Sequence, residues 1–438
     1  MSSPHPTTAP VEVHESEAKK VAFGAFVGTA LEWYDFFLYG TAASLVFNRL
    51  YFATDDRLIS TLAAFASFAV GFLARPVGAV IFGHLGDRIG RKKCLLITVT
   101  MIGLVTGIIG LLPDFFTIGV AAPILLTLLR LLQGVAVGGE WGGAVTLAVE
   151  HAPAKHRGRY AALPQIGSPI GTLLSSGGFL LVALLPADSF DSWGWRIPFL
   201  AAFPLLYIAV WLRRRVEESP LFTQMMKEHD LASAPVKQVV TGAFPQLLVG
   251  AGSTLLGVGG FYLVTTFIIA YGTGTLGIPR SVLLTATLLA AVVEIFVLLA
   301  GGRMVERVGA GRVTVIGGIL SAIVAFPVFW LVDTKQTALV VIGIVVGIAC
   351  LSIPYAASGA LLTELFVPRL RYSGVAISAN FASVVSGFVP LIATALLLAS
   401  DSKSWSAALL LIVIALITTV SGWLAPRISP EQDAVVSK

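Results

Sequence analysis

Apolar residues gather along this chain into long runs broken by short polar and basic segments. Twelve stretches of roughly 20 residues begin near Val21, Leu58, Cys94, Ile118, Tyr160, Trp195, Thr241, Ser281, Val313, Thr337, Tyr372 and Trp405. At about 1.5 Å per residue, each is long enough to cross about 30 Å of hydrocarbon. Lipid offers backbone amides no partner, so a spanning segment must satisfy them internally, as a helix does. The pattern predicts an all-α integral membrane protein with twelve transmembrane helices and both termini on one side.

Composition agrees and adds direction. Of 438 residues, 56% are hydrophobic and 12% charged, against roughly a quarter charged in soluble domains; a soluble globular fold is excluded. The 44 Gly and 22 Pro follow no Gly-X-Y period, which removes a collagen-like reading. Placement of the 29 Lys and Arg matters more than the net charge of +5. Twenty-one lie on the loops and tails of one face, from Lys19 to Lys438, and only Arg49, Arg57, Arg280, Lys335 and Lys403 lie on the other. This positive-inside bias places both termini in the cytoplasm and makes the charge a topology signal, with no nucleic-acid partner implied. Cys94 and Cys350 provide neither a disulfide framework nor a metal-ligand spacing. Residues 1–20 lack the apolar core of a cleavable signal, so the first span is expected to serve as the insertion signal.

The longest polar connection falls mid-chain and divides it into a tail (1–20), a first bundle (21–212), a central cytoplasmic loop (213–240), a second bundle (241–425) and a tail (426–438). An internal repeat supports the division. Gly83-His-Leu-Gly-Asp87-Arg88-Ile-Gly90-Arg91-Lys92-Lys93 returns half a chain later, weakened, as Gly302-Arg-Met-Val-Glu306-Arg307-Val-Gly309-Ala-Gly-Arg312. A second echo sets Glu150, Pro153 and Arg157 against Glu364, Pro368 and Arg371. Two parallel six-helix halves imply alternating access around a central site.

A positive-inside loop needs only the basic residues of the first repeat, not its Gly83, Asp87, Arg88 and Gly90. Glycines permit a tight turn, and Asp87 can face a helix N-terminus. The segment resembles the signature loop between helices 2 and 3 of the major facilitator superfamily. That resemblance implies a major facilitator fold and a conformational latch on the cytoplasmic side at Gly83, Asp87, Arg88, Gly90, Arg91 and Lys92. Its second copy, with Glu306 and Arg307, lacks basic residues at Ala310 and Gly311 and is expected to latch more weakly.

Ionisable residues also lie deep within spans: Glu32 and Asp35 in the first, Arg75 in the second, Arg130 and Glu140 in the fourth, Glu294 in the eighth. Each costs roughly 2.5–3.5 kcal/mol at a helix centre and must face protein or a wet cavity. Four acids against two arginines leave two excess negative charges, so at least one carboxyl is expected to carry a proton through part of the cycle. Static ion pairs are the plainer reading for any single residue. Glu32, Asp35 and Tyr39 share a helix face, as do Arg130 and Gln133. Trp33-Tyr34-Asp35 with Arg130-x-x-Gln133-Gly134 resembles the acid and Arg-x-x-Gln-Gly elements of proton-linked porters. By that resemblance Asp35 is the leading proton carrier, Arg130 its counter-ion and Glu32 the rival carrier. Gly134, Gly138 and Gly142 form a small-residue stripe that reads as close helix packing.

Further segments narrow the resemblance: Gly28 to Gly40, Ala74-Arg75-Pro76-Val-Gly78, Gln133 to Gly143, Trp193 to Phe199 and Glu217 to Phe222. Together they resemble the metabolite:proton symporter family, whose members import shikimate, 2-oxoglutarate, citrate, or zwitterions such as proline and betaine. The resemblance implies a bacterial inner-membrane symporter with the proton as coupling ion and no cofactor. Arg75 can grip a substrate carboxylate in a bidentate contact, or pair internally with Glu140. Tyr39, Gln133, Glu140, Gln165, Tyr262, Tyr355 and Asn380 are further candidate substrate contacts, with Ser168 and Tyr271 beside them. A hydroxylated or carboxylic metabolite is the favoured substrate class.

Three other functions are set against this one. An exporter by proton exchange would carry Gly-Pro-x-x-Gly-Gly in its fifth helix, where Gly167-Ser168-Pro169-Ile170-Gly171 stands. A membrane enzyme would need a nucleophile with its base, a metal cluster or a phosphate loop. His84, His151 and His156 have no such company, and no Walker motif occurs. A non-transporting receptor differs by failing to accumulate solute. The short C-terminal tail shows no heptads, so a functional monomer is expected.

Overall fold

The computed structural model describes residues 15–89, 91–138, 156–214 and 235–429. Residues 1–14 and 430–438, Gly90, residues 139–155 with Glu140, and most of the central loop lie outside that description. Among the described residues no strand occurs, and the chain runs through twelve helices. They are α1 (Glu15–Ala42), α2 (Arg57–Phe82), α3 (Arg91–Leu111), α4 (Ala121–Val137), α5 (Gly158–Ala183) and α6 (Ala187–Trp211). The second half continues with α7 (Phe244–Gly274), α8 (Arg280–Val308), α9 (Ala310–Asp333), α10 (Thr337–Glu364), α11 (Pro368–Ala399) and α12 (Trp405–Ile428). Nine of them, α2 and α5 to α12, are each long and apolar enough to cross a bilayer. The all-α membrane architecture expected from the apolar runs is the architecture found.

Polar and apolar surfaces are arranged for lipid. Phe116, Leu181, Leu184, Phe296 and Ile323 point outward and are well exposed, a surface that hydrocarbon solvates and water does not. Exposed tryptophans stand near helix ends at both faces, Trp193, Trp330 and Trp405 at one and Trp211 and Trp423 at the other. Their amphipathic rings suit the headgroup level.

Within the first half α1 packs on α5, α2 on α4, and α3 on α4 and α6; in the second, α9 packs on α10 and α12, and α8 on α10. Two seams join the halves, α5 against α8 and α2 against α11. The α2–α4 contact needs the glycine stripe of α4. A Cβ on Gly134 would fall 1.8 Å from the Gly71 carbonyl oxygen, and one on Gly138 2.0 Å from that of Arg75. Gly142 lies outside the described residues.

The signature segment differs from the expected loop. Backbone is helical through Ile89, continuing α2 beyond Phe82, and again from Arg91, so most of the segment is helix; Gly90 lies outside the described residues. Despite Gly83 and Gly86, which weaken a helix, the run stays helical once both flanking helices are anchored by packing. The second copy shows how such a join is made: α8 ends at Val308, Gly309 turns at φ +89° and ψ 150°, and α9 starts at Ala310. Only glycine occupies that region without strain. Side chains of Gly83, Asp87, Arg88, Arg91 and Lys92 lie outside the described part of the structure.

Candidate functional site

Two buried ion pairs lie side by side in the first half. On α1, Glu32, Asp35, Phe36 and Tyr39 follow the i, i+3, i+4, i+7 spacing of one stripe, and the stripe faces α2, α3 and α4. Arg75 of α2 reaches Glu32 at 3.2 Å, and Arg130 of α4 stands 3.5 Å from Asp35 Oδ2. Arg75 thus pairs with Glu32; the alternative partner, Glu140, is outside the described residues. Arg130 is fully buried.

Asp35 is held by more than charge. Its Oδ1 accepts a hydrogen bond from Gln133 Nε2 at 2.6 Å and another from the Thr106 hydroxyl of α3. Gln133 is itself oriented, its Oε1 accepting from Arg130 Nη1 at 3.1 Å. The Arg-x-x-Gln spacing places both side chains on one face of α4, one turn apart, so cation and amide meet the same carboxylate. Gly71 makes room, since a Cβ there would lie 2.6 Å from Arg130 Nε.

Aromatic faces complete the cage. The Arg130 guanidinium sits 4.4 Å from the ring centre of Tyr39 and 4.8 Å from that of Phe36, and Arg75 lies 4.2 Å from Phe36. Such cation–π contacts contribute about 2 kcal/mol when desolvated. Arg130 Nε and Nη2 and Arg75 Nε have no hydrogen-bond acceptor among the described residues. Both cations therefore keep N–H donors in reserve.

The second stripe of α1, carrying Trp33 and Phe37, meets the other half. Phe37 stacks on Phe261 of α7 at 4.8 Å, and Trp33 lies 6.3 Å from both Tyr262 and Tyr355 of α10. Tyr262 also contacts Phe68 and Phe72 of α2. Three polar atoms in this apolar wall, Trp33 Nε1, Tyr262 Oη and Tyr355 Oη, have no hydrogen-bond partner of ordinary geometry among the described residues. A small recess of ≈ 30 Å³ between α1, α3 and α6, room for about one or two waters, reaches Glu32, Asp35 and Thr106 from the flank.

Other candidates serve as struts. Tyr39 bonds Ser67 of α2 at 2.9 Å. Gln165 of α5 donates to Ser358 of α10 at 2.9 Å, with its Oε1 left over. Asn380 of α11 donates to the Gly138 carbonyl of α4 at 3.1 Å, so it ties the halves. Glu306 pairs with Arg159 at the start of α5, 3.0 Å away, and Arg307 closes the last turn of α8. Thr106 had no signal in the sequence, since an isolated threonine in an apolar helix usually bonds its own backbone.

Residues 21–248 match the family described as Sugar (and other) transporter, and residues 286–438 match Major Facilitator Superfamily. The chain belongs to the metabolite transporters of the major facilitator superfamily, proteins that embed in a membrane and carry small molecules. It is 40% identical to the shikimate transporter of Escherichia coli K12 over 93% of this chain and 94% of that one. Identity is 36% to the E. coli inner membrane metabolite transport protein YhjE (87% and 90% covered) and 30% to the E. coli proline/betaine transporter (94% and 84%). The fold matches a partially occluded inward-open structure of the xylose transporter XylE from E. coli with TM-score 0.71, at 17% identity, over 95% of this chain and 98% of that one.

Proposed function

We propose that this protein is a proton-coupled importer of a small hydroxylated carboxylic acid, with shikimate the first candidate. The observation that carries the reading is the buried Asp35–Arg130–Gln133 cluster, in which an acid and a cation share one amide while the cation retains unused donors. A proton reaching Asp35 through the flanking recess removes the charge that holds Arg130. The guanidinium is then free to take a substrate carboxylate in a bidentate contact. Trp33, Tyr262 and Tyr355 supply donors and acceptors for hydroxyls at the boundary of the halves. Loading both ligands favours closure, and release to higher pH and lower substrate concentration resets the cycle.

The two bundles, 21–212 and 241–425, rock about the central loop 213–240 in this scheme, with the latch residues Asp87 and Arg88 on the cytoplasmic face. Both termini lie in the cytoplasm of a bacterium, the protein sits in the inner membrane, works as a monomer, and needs no cofactor beyond the proton. Carriage of a zwitterion such as betaine is the second reading, favoured by the proline/betaine relative.

Uptake of radiolabelled shikimate, 2-oxoglutarate, citrate and glycine betaine into expressing cells, with and without a protonophore, tests the proposal. Protonophore-sensitive accumulation of one acid is the expected result. Accumulation of betaine alone returns Arg75 and Arg130 to structural roles, and protonophore-insensitive uptake removes proton coupling.

A further inference from the structure

The two buried cations among the described residues, Arg75 and Arg130, are matched to Glu32 and Asp35, which leaves the carboxyl of Glu294, in the middle of α8, to be accounted for. This side chain is fully buried, and neither of its oxygens has a hydrogen-bond partner of ordinary geometry among the described residues. Ser168 of α5 faces it across the seam between the halves, and Tyr355 of α10 lies within its electrostatic reach. Among the described residues no Lys, Arg or His acts on it. Beyond Tyr355 stand the phenol of Tyr262 and the carboxyl of Glu32, the latter held by Arg75; α9, also packed on α8, brings no charged group to bear on it. An unpaired anion cannot be kept in such a place, because neither solvent nor a counter-charge compensates it.

We propose that Glu294 is a second proton-binding site, on the second half of the transporter, which takes a proton from water before the α5–α8 seam closes, holds it while the seam is closed and gives it up when the seam opens. Closure removes water and leaves only the Ser168 hydroxyl beside the acid. Parting of α5 from α8 brings water to the carboxyl, which then ionises, and the proton leaves on the open side. Glu294 thereby ties protonation to the position of the halves, whereas Asp35 ties it to Arg130 within one half. The inference rests on proton-coupled transport but not on Asp35 being the carrier.

The test is the accumulation limit in proteoliposomes, with membrane potential clamped at zero and an inward gradient of about one pH unit. Each coupled proton multiplies that limit by about ten. Glu294→Gln mimics the neutral acid but cannot release a proton, so its shikimate plateau is expected to fall about tenfold below wild type. An unchanged plateau would make Glu294 a permanently protonated structural group and overturn the proposal. Protonophore-insensitive wild-type uptake would instead sink proton coupling as a whole, so the two failures are distinguishable. Thermal unfolding of the purified variant checks its folding. Should it not assemble, wild-type protein treated with a hydrophobic carbodiimide, which attacks protonated carboxyls, serves: modification of Glu294 should decline as pH rises during substrate exchange, and pH-independent modification overturns the proposal.

Discussion

Asp35 and Arg130 occupy a site where neither could stay ionised alone. Removing one partner of a buried pair costs about 3–5 kcal/mol, because the remaining charge is stranded. Arg130→Ala is therefore expected to lose both uphill uptake and exchange, and to melt at lower temperature in detergent. Asp35→Asn keeps the size of the side chain and an oxygen for Gln133 but cannot take up a proton. Counterflow exchange should persist in that variant while the accumulation plateau against a gradient falls by at least about tenfold. Concentration of substrate at the wild-type level by Asp35→Asn would show that the proton rides elsewhere. These ionisable residues were legible in the sequence, since charge in an apolar run must be matched. Their pairing was not, because helical spacing places Glu32 and Asp35 on one stripe without saying which neighbouring helix meets each.

Helices here carry information in their irregular turns. Wide π turns follow α1 at Ala43–Phe47 and interrupt α7 at Leu256–Gly260 and Leu263–Phe267, and Tyr262 lies between the two on α7. A π turn shifts the register of every side chain beyond it and loosens the carbonyls it spans, and Ser44 Oγ in the first donates to the Thr266 carbonyl in the third at 2.8 Å. Gly309 makes the α8–α9 join with a positive φ and nothing within 4 Å of a would-be Cβ. Gly309→Ala should thus destabilise by about 1–3 kcal/mol through backbone strain alone, read as a lower melting temperature with transport specificity unchanged. Gly134→Leu acts differently, driving a side chain into the Gly71 carbonyl, and is expected to prevent assembly, seen as loss of folded protein on size-exclusion chromatography. The apolar runs announced the helices and the glycine stripe announced close packing. No pattern in the sequence marked the π turns, which are rare and arise from contacts between helices.

Contacts bridge the two halves at both faces of the molecule. On the face bearing the termini, Arg159 pairs with Glu306 and Gln165 with Ser358. On the other, Ser44 reaches Thr266, Arg57 Nη2 donates to the Thr273 carbonyl at 3.3 Å, and Arg280 of α8 lies 3.7 Å over the Phe190 ring. Alternating access requires each set to break in turn. Arg159 is half exposed, and exposed pairs contribute about 0.2–1 kcal/mol, so Arg159→Ala should raise the population open on that face by no more than about fivefold. Thiol labelling of a cysteine placed beside Ser358 reads the change, and an unaltered labelling rate would show that the pair does not bias the equilibrium.

The apolar helices and the internal repeat are legible in composition and order along the chain, as is the loop-charge bias from which sidedness is expected, because hydrocarbon thickness and loop charge act on local segments and need no knowledge of neighbours. The acid and cation types of the site follow too, since a charge inside lipid is conspicuous wherever it packs. Folding of the helices against one another set the rest: Glu32 to Arg75, Asp35 to Arg130, Thr106 and Gln133, Asn380 across to Gly138, and Glu294 to no cation among the described residues. Those pairings join residues from helices far apart in the chain. They depend on angles, register shifts and close approaches that arise only once twelve helices share one volume.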